Sequence, residues 1–363
     1  MSKIGIVTFH RANNYGVCLQ AYATAAFLSE HGNDVHIIDY TNPYEQRIQK
    51  WSYKENNRIS GYITSLLKNI VLGKMYYYKK AFGEVTNNYP LTEKRYFSKD
   101  EMMTLNYDIL IAGSDQIWNP TITNGIDDVF LLQFGNASKR ISVASSMGSS
   151  EPNDYEKELI KTAFASFSAI SVREEFAAKI LQPYTDKHIK VLMDPTFLLD
   201  KTEWIERMGK KSKYIDVKEK YILTYFVGHN KQEYQNRVKA IANKLKLPVW
   251  TIQYSNYNWS VSSKKILGAT IEDFIALISN AELVLTDSFH GTAFSINLEA
   301  NFIAFKHKTN PVRVMGLLDK LGIMERLDMN EDTYSMLDYS VVSDKLERLR
   351  GESQKWVLDA VNS

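Results

Sequence analysis

The first forty residues alternate between strand-like and helix-like patterns, and this alternation limits the possible folds more than any other feature of the sequence. Two short apolar runs with β-branched residues, at 3–9 and 34–40, flank a segment with apolar side chains at three- and four-residue spacing. Gly32 follows that segment where a helix C-cap is expected. A strand, a helix and a strand in this order predict two parallel strands joined by a right-handed crossover.

The same alternation continues along the chain in two successive sets. Strand patterns recur between residues 107 and 193 and again between 221 and 305, and a polar stretch at 200–219 separates the sets. A chain of 363 residues is longer than one ordinary core, so two domains are expected. We predict an α/β protein with two Rossmann-like, doubly wound domains that face a cleft, the GT-B-like architecture.

Breaks in the alternation predict the domain boundaries. The first domain is expected over residues 1–200, with a mostly helical insertion at about 41–100. The second is expected over 215–335. Residues 336–363 are predicted to form a C-terminal helix that packs back on the first domain.

Charge and cysteine content exclude several classes of protein. The formal net charge is only +2, which disfavours a nucleic-acid partner. The single cysteine, Cys18, excludes an intramolecular disulfide and a cysteine-only zinc site. The N-terminal apolar run is too short for a signal peptide, and no apolar stretch approaches the ~20 residues that span a bilayer. We therefore expect a cytoplasmic protein, with peripheral contact with the inner membrane surface left open.

The segment 283–292 joins an apolar strand directly to a helix that is expected to start at 291–292. The free amides of a helix start favour an anion, and a histidine beside them can carry a proton near neutral pH. We predict that His290 and Asp287 are catalytic and that Ser288, Gly291 and Thr292 bind an anionic donor. The alternative is a capping aspartate or serine beside a structural histidine.

Three basic residues are further candidates for anion binding. Arg173 follows the strand pattern 170–172, and its guanidinium suits a phosphate or carboxylate. An ion pair with Glu174 or Glu175 is equally compatible with the spacing. Lys306 and Arg313, near the end of the second domain, would add to an anion pocket, although an exposed surface position is the simpler interpretation.

Two polar turns after strands are candidates for binding sugar hydroxyls. The turn at 8–16 is rich in asparagine and lacks the three-glycine dinucleotide fingerprint, and the turn at 112–119 offers an indole ring that would stack on a pyranose. The predicted acceptor-binding residues are Asn13, Asn14, Asp115, Gln116, Trp118 and Asn119. The structural alternatives are turn-forming asparagines, a core tryptophan and a capping aspartate.

Taken together, these segments resemble the polysaccharide pyruvyl transferase family. The similar segments are collinear and extend over roughly residues 3–325. They are 4–10 (IGIVTFH) with 13–16 (NNYG) and 19–23 (LQAYA), 113–119 (GSDQIWN), 171–174 (SVRE), 194–196 (DPT) and 286–292 (TDSFHGT).

The resemblance implies transfer of pyruvate from phosphoenolpyruvate (PEP) to a sugar diol of a surface polysaccharide, such as a capsule or exopolysaccharide, or of its lipid-linked precursor. The products are a cyclic ketal and phosphate, and no cofactor or metal is implied. Arg173 matches the family's donor-binding arginine, and His290 matches a histidine of acid/base chemistry or donor binding. Several members have arginine-leucine where this chain has Ser288-Phe289, so Lys306 or Arg313 would have to replace that donor contact.

Two other functions are open at this point. A nucleotide-sugar-dependent glycosyltransferase would use the same fold, although no acidic pair can be assigned to a ribose. A glycan-binding protein without turnover is compatible with the replacement at 288–289.

Overall fold

A computed structural model describes residues 1–44, 73–227, 231–253, 259–306 and 312–363. The chain forms two compact units. The first comprises the described parts of 1–57, 86–198 and 347–363, and the second comprises those of 58–85 and 199–346.

The strands and helices of the described residues follow in chain order. The strands are β1 Lys3–Val7, β2 Asp34–Ile37, β3 Asn106–Ala112, β4 Asn136–Ser142, β5 Ile170–Val172, β6 Ile189–Val191, β7 Ile222–Tyr225, β8 Val249–Gln253, β9 Lys264–Leu267, β10 Leu283–Thr286 and β11 Phe302–Ala304. The helices are α1 Tyr15–Glu30, α2 Lys74–Phe82, α3 Pro120–Thr123, α4 Asp154–Phe164, α5 Glu175–Leu181, α6 Lys201–Arg207, α7 Lys231–Leu245, α8 Ile271–Ser279, α9 Phe289–Asn297, α10 Val312–Leu321 and α11 Tyr339–Asn362.

The sheet of the first unit has the strand order β2-β1-β3-β4, and every pairing in it is parallel. Strands β5 and β6 form a parallel pair of their own. Isolated bridges from Ile141 to Ala169 and from Ser145 to Val172 connect this pair to β4 and to the loop that follows it. The carboxyl ends of these strands therefore lie on one edge, and the chain reverses its direction of winding between β1 and β3.

The sheet of the second unit has the order β11-β10-β7-β8-β9 and is also parallel throughout. Strand β7 is central, with β10 on one side and β8 on the other. The winding reverses between β7 and β10, which makes the loops after these two strands the expected ligand-binding position.

Each unit has its own apolar core, because strands covered on both faces carry continuous apolar runs. The first core includes Leu110, Trp118, Phe130 and Phe164, and the second includes Ile222, Leu285 and Phe305. The alternation of strands and helices predicted from the sequence, with parallel sheets, is confirmed in both units.

The predicted helical insertion at 41–100 falls in part on residues 45–72, which lie outside the described residues. In the remainder, helix α2 is followed by short 3-10 turns at Val85–Asn88 and Asp100–Met102.

The second half of α11 packs on the first unit. Met193 donates its backbone N–H to Ser353 Oγ at 3.1 Å, and Arg350 Nε donates to the carbonyl of Phe197 at 3.0 Å. None of the described helices is both long and apolar enough to cross a bilayer.

Candidate active site

The junction between β10 and α9 brings the predicted catalytic residues to the winding reversal of the second sheet. Asp287 follows β10, and its Oδ1 accepts the backbone N–H of Val227 at 2.7 Å. Val227 lies two residues after β7, so this hydrogen bond joins the two loops that flank the reversal. A ligand at the carboxyl edge of this sheet would therefore meet these residues.

His290 lies in the first turn of α9, and the residue is only 6% exposed to solvent. The Phe289 ring lies edge-on to the imidazole, with the ring centres 5.0 Å apart. The histidine is therefore held in a largely dehydrated environment beside a helix start, where electrostatic interactions are stronger than in water.

Gly291 allows α9 to approach the end of β10 closely. A Cβ added at Gly291 would overlap Thr286 Oγ1. That hydroxyl donates to the carbonyl of Tyr225 at 2.6 Å and accepts the N–H of Ser288 at 3.1 Å, so it has little freedom to move. Close packing, rather than an unusual backbone angle, requires glycine here and places His290 over the strand end.

Helix α9 begins at Phe289, earlier than the sequence pattern predicted, because Ser288 is its N-cap. Ser288 Oγ accepts the N–H of Gly291 at 3.2 Å, and the Ser288 carbonyl accepts the N–H of Thr292 at 2.9 Å. These two amides are already satisfied within the helix. The predicted donor contact through the Gly291 and Thr292 amides is corrected accordingly, and for Ser288 the structural cap is the role that the geometry supports.

Tyr234, on α7, is a neighbour of Asp287 that the sequence did not identify. Burial raises the pKa of the Tyr234 hydroxyl, and the negative charge of Asp287 raises it further. The phenol therefore stays protonated near this carboxylate, and its Oη donates to the carbonyl of Lys306 at 3.5 Å. No local sequence pattern predicts that Tyr234 lies near Asp287, because the two residues are far apart in the sequence. They are brought together by the pairing of β7, which precedes α7, with β10.

The two predicted basic residues of the second unit have different positions. The Arg313 guanidinium lies over the Phe289 ring, 5.5 Å from its centre, and is thus close to the start of α9. Lys306 is exposed two residues after β11, the strand that pairs with β10, and its backbone N–H donates to Asp328 at 3.1 Å. Arg313 is therefore the better placed of the two for an anion near His290.

Arg173, at the end of β5, is enclosed by carboxylates. Its Nη1 donates to Asp194 Oδ2 at 2.6 Å, its Nε donates to Glu174 Oε1 at 3.1 Å, and its Nη2 lies 3.9 Å from Asp115 Oδ1. The side chain is only 4% exposed. Burial tends to lower the pKa of Arg173, but the three carboxylates, Glu174 foremost, more than offset this effect and raise it.

This environment argues against the expectation that Arg173 binds an anionic donor. One guanidinium among three carboxylates has a formal charge of −2, which disfavours an anionic ligand. The ion pair with Glu174, which was the alternative interpretation, is present. Asp194 and Asp115 complete the cluster, and both come from loops after other strands of the first unit.

In the turn after β3, the predicted sugar-binding side chains make contacts that stabilise the fold. Trp118 is 1% exposed, its Nε1 donates to the carbonyl of Phe130 at 2.9 Å, and its ring packs against Phe164 with centres 5.5 Å apart. No ring face is available for a pyranose, so the core interpretation replaces sugar stacking. Asn119 caps α3 by accepting the N–H of Thr121 at 3.0 Å, and its Nδ2 donates to Gln116 Oε1 at 2.8 Å. The helix cap is therefore Asn119 and not Asp115.

The two asparagines of the turn after β1 have different positions. Asn14 Oδ1 accepts the N–H groups of Gly16 at 2.9 Å and Val17 at 3.4 Å, which makes Asn14 the N-cap of α1. Asn13 is exposed. Of the two predicted sugar contacts, only Asn13 has its side chain at the surface.

The same turn contains a charged cluster that the sequence pattern did not indicate. His10 Nε2 lies 3.0 Å from Asp39 Oδ1, and Arg11 makes two hydrogen bonds to the Asp39 carboxylate. Burial would raise the pKa of Asp39, but His10 and Arg11 outweigh it and lower this pKa well below its usual range. The sequence feature that could have indicated this cluster is a histidine directly after a strand pattern. The contact of His10 with Asp39, however, depends on the pairing of β1 with β2.

Comparisons with known proteins identify the fold and the family. The chain superposes on a UDP-GlcNAc 2-epimerase from Neisseria meningitidis with a TM-score of 0.52, 10% identity and coverage of 99% of this chain and 98% of that chain. The corresponding values for the UDP-GlcNAc 2-epimerase of Methanocaldococcus jannaschii are 0.51, 12%, 99% and 98%. These likenesses show the fold, which is GT-B-like as predicted.

A sequence search of curated proteins finds no match. The family model for polysaccharide pyruvyl transferase, in contrast, matches residues 14–309. The chain belongs to the polysaccharide pyruvyl transferase family.

As a polysaccharide pyruvyl transferase, the protein is a transferase enzyme, and the family suggested by the sequence segments is confirmed. The matched segment includes Arg173 and His290, whereas His10, Arg11 and Arg313 lie outside it. Within the described ranges, no group of three histidine, cysteine or acidic side chains is arranged to hold a metal ion.

Proposed function

We propose that this transferase moves pyruvate from PEP to a sugar diol of a surface polysaccharide or of its lipid-linked precursor, forming a cyclic ketal and releasing phosphate. The observation that carries the proposal is the position of His290. The chain belongs to this family, and His290 is a largely buried histidine at the winding reversal of a parallel sheet. Ligands of parallel sheets bind at this place.

The proposed chemistry uses His290 as the proton carrier. The imidazolium protonates the methylene carbon of PEP while one sugar hydroxyl attacks the central carbon, and the imidazole so formed takes the proton of that hydroxyl. The C–O bond to phosphate then breaks, the second hydroxyl closes the ring on the same carbon, and its proton leaves with the phosphate. One PEP and one diol thus yield one ketal and one phosphate, with the enzyme returned to its starting protonation state.

For Asp287, two roles are compatible with this chemistry: it takes a hydroxyl proton, or it holds the site in position. The contacts favour positioning, because Oδ1 accepts the N–H of Val227 at 2.7 Å and is thereby held by the loop after β7. A carboxylate held in this way is fixed in place and fixes the two loops around His290.

The negative charges of PEP require basic partners in addition to His290. Arg313 is proposed as the nearer of the two candidates because it lies against Phe289, next to the histidine. Lys306, at the end of the neighbouring strand, is the second. In the first unit, Asn13 is exposed and Gln116 is partly exposed, so both remain candidates for an acceptor hydroxyl. We further propose that the reaction needs no cofactor beyond PEP and takes place in the cytoplasm, at the inner face of the membrane when the acceptor is lipid-linked.

A PEP-dependent phosphate-release assay tests the proposal against lipid- and nitrophenyl-linked galactosides and N-acetylhexosamines. Replacing His290 with alanine is expected to lower turnover by about 10²- to 10⁴-fold, the usual contribution of general acid–base catalysis. His188→Ala is the matched control, because His188 is exposed and belongs to no proposed site. Normal turnover by a folded His290→Ala protein would exclude the proposed role.

Thermal shift measurements separate the proposal from its main rival. Stabilisation by PEP is expected, and none by UDP-sugars. The reverse result, together with no phosphate release on any acceptor, would favour the nucleotide-sugar-dependent glycosyltransferase. Binding of a glycan without phosphate release would favour the binding protein.

A further inference from the structure

One face of α7, in the second unit, forms a wall of a groove of about 780 Å³. This volume lies within the range of small-molecule sites. The opposite wall comes from the segments 247–249 and 260–263, which lead into β8 and β9. None of the described residues that line the groove belongs to the loop with Asp287 and His290, so it is a site separate from the candidate active site.

The side chains of this groove carry amides, hydroxyls and ammonium groups. Those on α7 recur at three- and four-residue spacing and therefore share one helix face. They include Gln232, Gln235, Asn236, Lys239 and Asn243. Amides both donate and accept hydrogen bonds, as sugar hydroxyls do, and none of the described lining residues is acidic. The composition favours a ligand with many hydroxyl groups and a negative charge.

Gln235 supplies a fixed hydrogen-bond donor in the groove, although the residue is only 7% exposed. The backbone N–H and the hydroxyl of Ser260 both donate to Gln235 Oε1 at 2.9 Å. Because a backbone N–H requires an acceptor, these contacts determine which end of the amide faces Ser260. Nε2 has no hydrogen-bond partner among the described residues, so its two N–H groups are available to a ligand.

Lys239 lies one turn along α7 from Gln235 and is exposed. It makes no ion pair within the described parts of the chain. Lys244, on the same helix but outside the groove, differs, because its Nζ lies 3.5 Å from Asp332 Oδ1. The positive charge of Lys239 is therefore not neutralised by a neighbouring carboxylate, and it is available to an anionic group.

Lys246 adds a second positive charge at the end of α7. Its φ of 54° lies in the left-handed region, and the N–H of Leu247 donates to the carbonyl of Ala242 at 3.3 Å. This is the Schellman pattern of a helix end, in which glycine is the usual residue because it has no Cβ. An exposed lysine at this position costs free energy without forming an ion pair to any described residue. A role in binding accounts for a lysine here.

Other anionic ligands fit this groove less well than a glycan. Single-stranded nucleic acids stack their bases on aromatic side chains, and none of the described lining residues is aromatic. A small inorganic anion would occupy only a fraction of the volume and would leave most amides without a ligand contact. An oligosaccharide with carboxylates offers hydroxyls to the amides and negative charges to the two lysines.

We propose that this groove binds an acidic oligosaccharide, with Gln235 donating to the sugar and Lys239 and Lys246 contacting its carboxylates. The link to the polysaccharide rests on the proposed function, because each pyruvate ketal adds one carboxylate to the sugar that carries it. The product chain of the proposed reaction is therefore a ligand of this chemistry. Binding itself requires neither PEP nor turnover.

Calorimetry on the full chain tests the proposal with a linear oligosaccharide of galacturonic acid and a neutral galacto-oligosaccharide of equal length. The wild type is expected to bind the acidic probe at least about 10-fold more tightly, because charge-assisted contacts are stronger. Gln235→Glu keeps the acceptor for Ser260 but replaces the donor with a negative charge, and it should raise the Kd for the acidic probe by about 10- to 100-fold.

The lysine variants separate binding from stability. Lys239→Ala is expected to raise the same Kd by about 5- to 30-fold, whereas Lys244→Ala, the matched control on the same helix, should bind as the wild type does. Lys246→Gly should also weaken binding, yet its thermal unfolding midpoint should stay the same or rise, because glycine suits the left-handed backbone. A purely structural lysine would not show these opposite changes.

Four results would overturn the proposal. They are equal affinity for the two probes, unchanged affinity in the three groove variants, an equal loss in Lys244→Ala, and no binding of the acidic probe by the wild type. His290→Ala is expected to bind this probe normally. Loss of phosphate release with normal binding would therefore count only against the proposed function, and normal release without binding only against the groove.

Discussion

Arg173 and Arg11 lie on the same edge of the same unit, yet their surroundings differ in sign. Arg173 is enclosed by Asp115, Glu174 and Asp194, whereas Arg11 shares one carboxylate, Asp39, with His10 and Arg95. The sequence pattern made Arg173 the candidate for anion binding, because it follows a strand directly. The comparison shows that position after a strand does not decide what an arginine binds, because its neighbours on adjacent strands set the local charge.

The largest expected effect follows from the burial of Arg173. Arg173→Ala leaves three buried carboxylates without their cation and is expected to lower the free energy of unfolding by about 3–5 kcal/mol. Arg11→Ala removes a partly exposed guanidinium from the buried Asp39 carboxylate, which keeps His10 as a partner, and should cost less, about 1–3 kcal/mol. Urea unfolding followed by tryptophan fluorescence measures both. Equal losses of stability in the two variants would contradict the inferred difference between the surroundings of Arg173 and Arg11.

An intermediate effect is expected at Gly291, where packing rather than charge holds the site. Gly291→Ala places a methyl group against Thr286 Oγ1 and is expected to cost about 1–3 kcal/mol and to reduce turnover by displacing His290. Gly351→Ala, within α11, is the control. An added Cβ there meets no atom within 4 Å, so this change should be neutral or stabilising. Full activity of Gly291→Ala would show that His290 does not depend on this contact.

The smallest effect is the pH dependence of the Arg11 pair. Because Arg11 and His10 lower the pKa of Asp39 in the folded state, their stabilisation is complete above the unfolded pKa of about 4. It is lost as pH falls through the folded pKa. The stability difference between the wild type and Arg11→Ala should therefore stay the same from pH 7 to about pH 5 and shrink from about pH 4 down to about pH 2, as measured by urea unfolding. A difference that is constant over this range would contradict the assignment of Asp39 as the partner.

Much of the fold was predictable because its signals are local. Apolar alternation and helical spacing report how a segment buries its own side chains, and they predicted the parallel sheets of both units. Polar turns after strands were equally visible, so the loops that contain Asp287, His290 and Arg173 were identified from the sequence. The start of α9 was missed by a few residues, since only the hydrogen bond from Gly291 to Ser288 Oγ shows which residue caps the helix.

By itself, the sequence determined the family, the α/β class and the chemical groups available after each strand. The tertiary structure decided which of these groups face one another. Arg173 meets Asp194, 21 residues away, Arg11 meets Asp39, 28 residues away, and Asp287 meets the backbone of Val227, 60 residues away. Such pairs depend on strand order and register, which no local pattern encodes. The sign of each cluster was therefore decided only by the placement of the strands side by side.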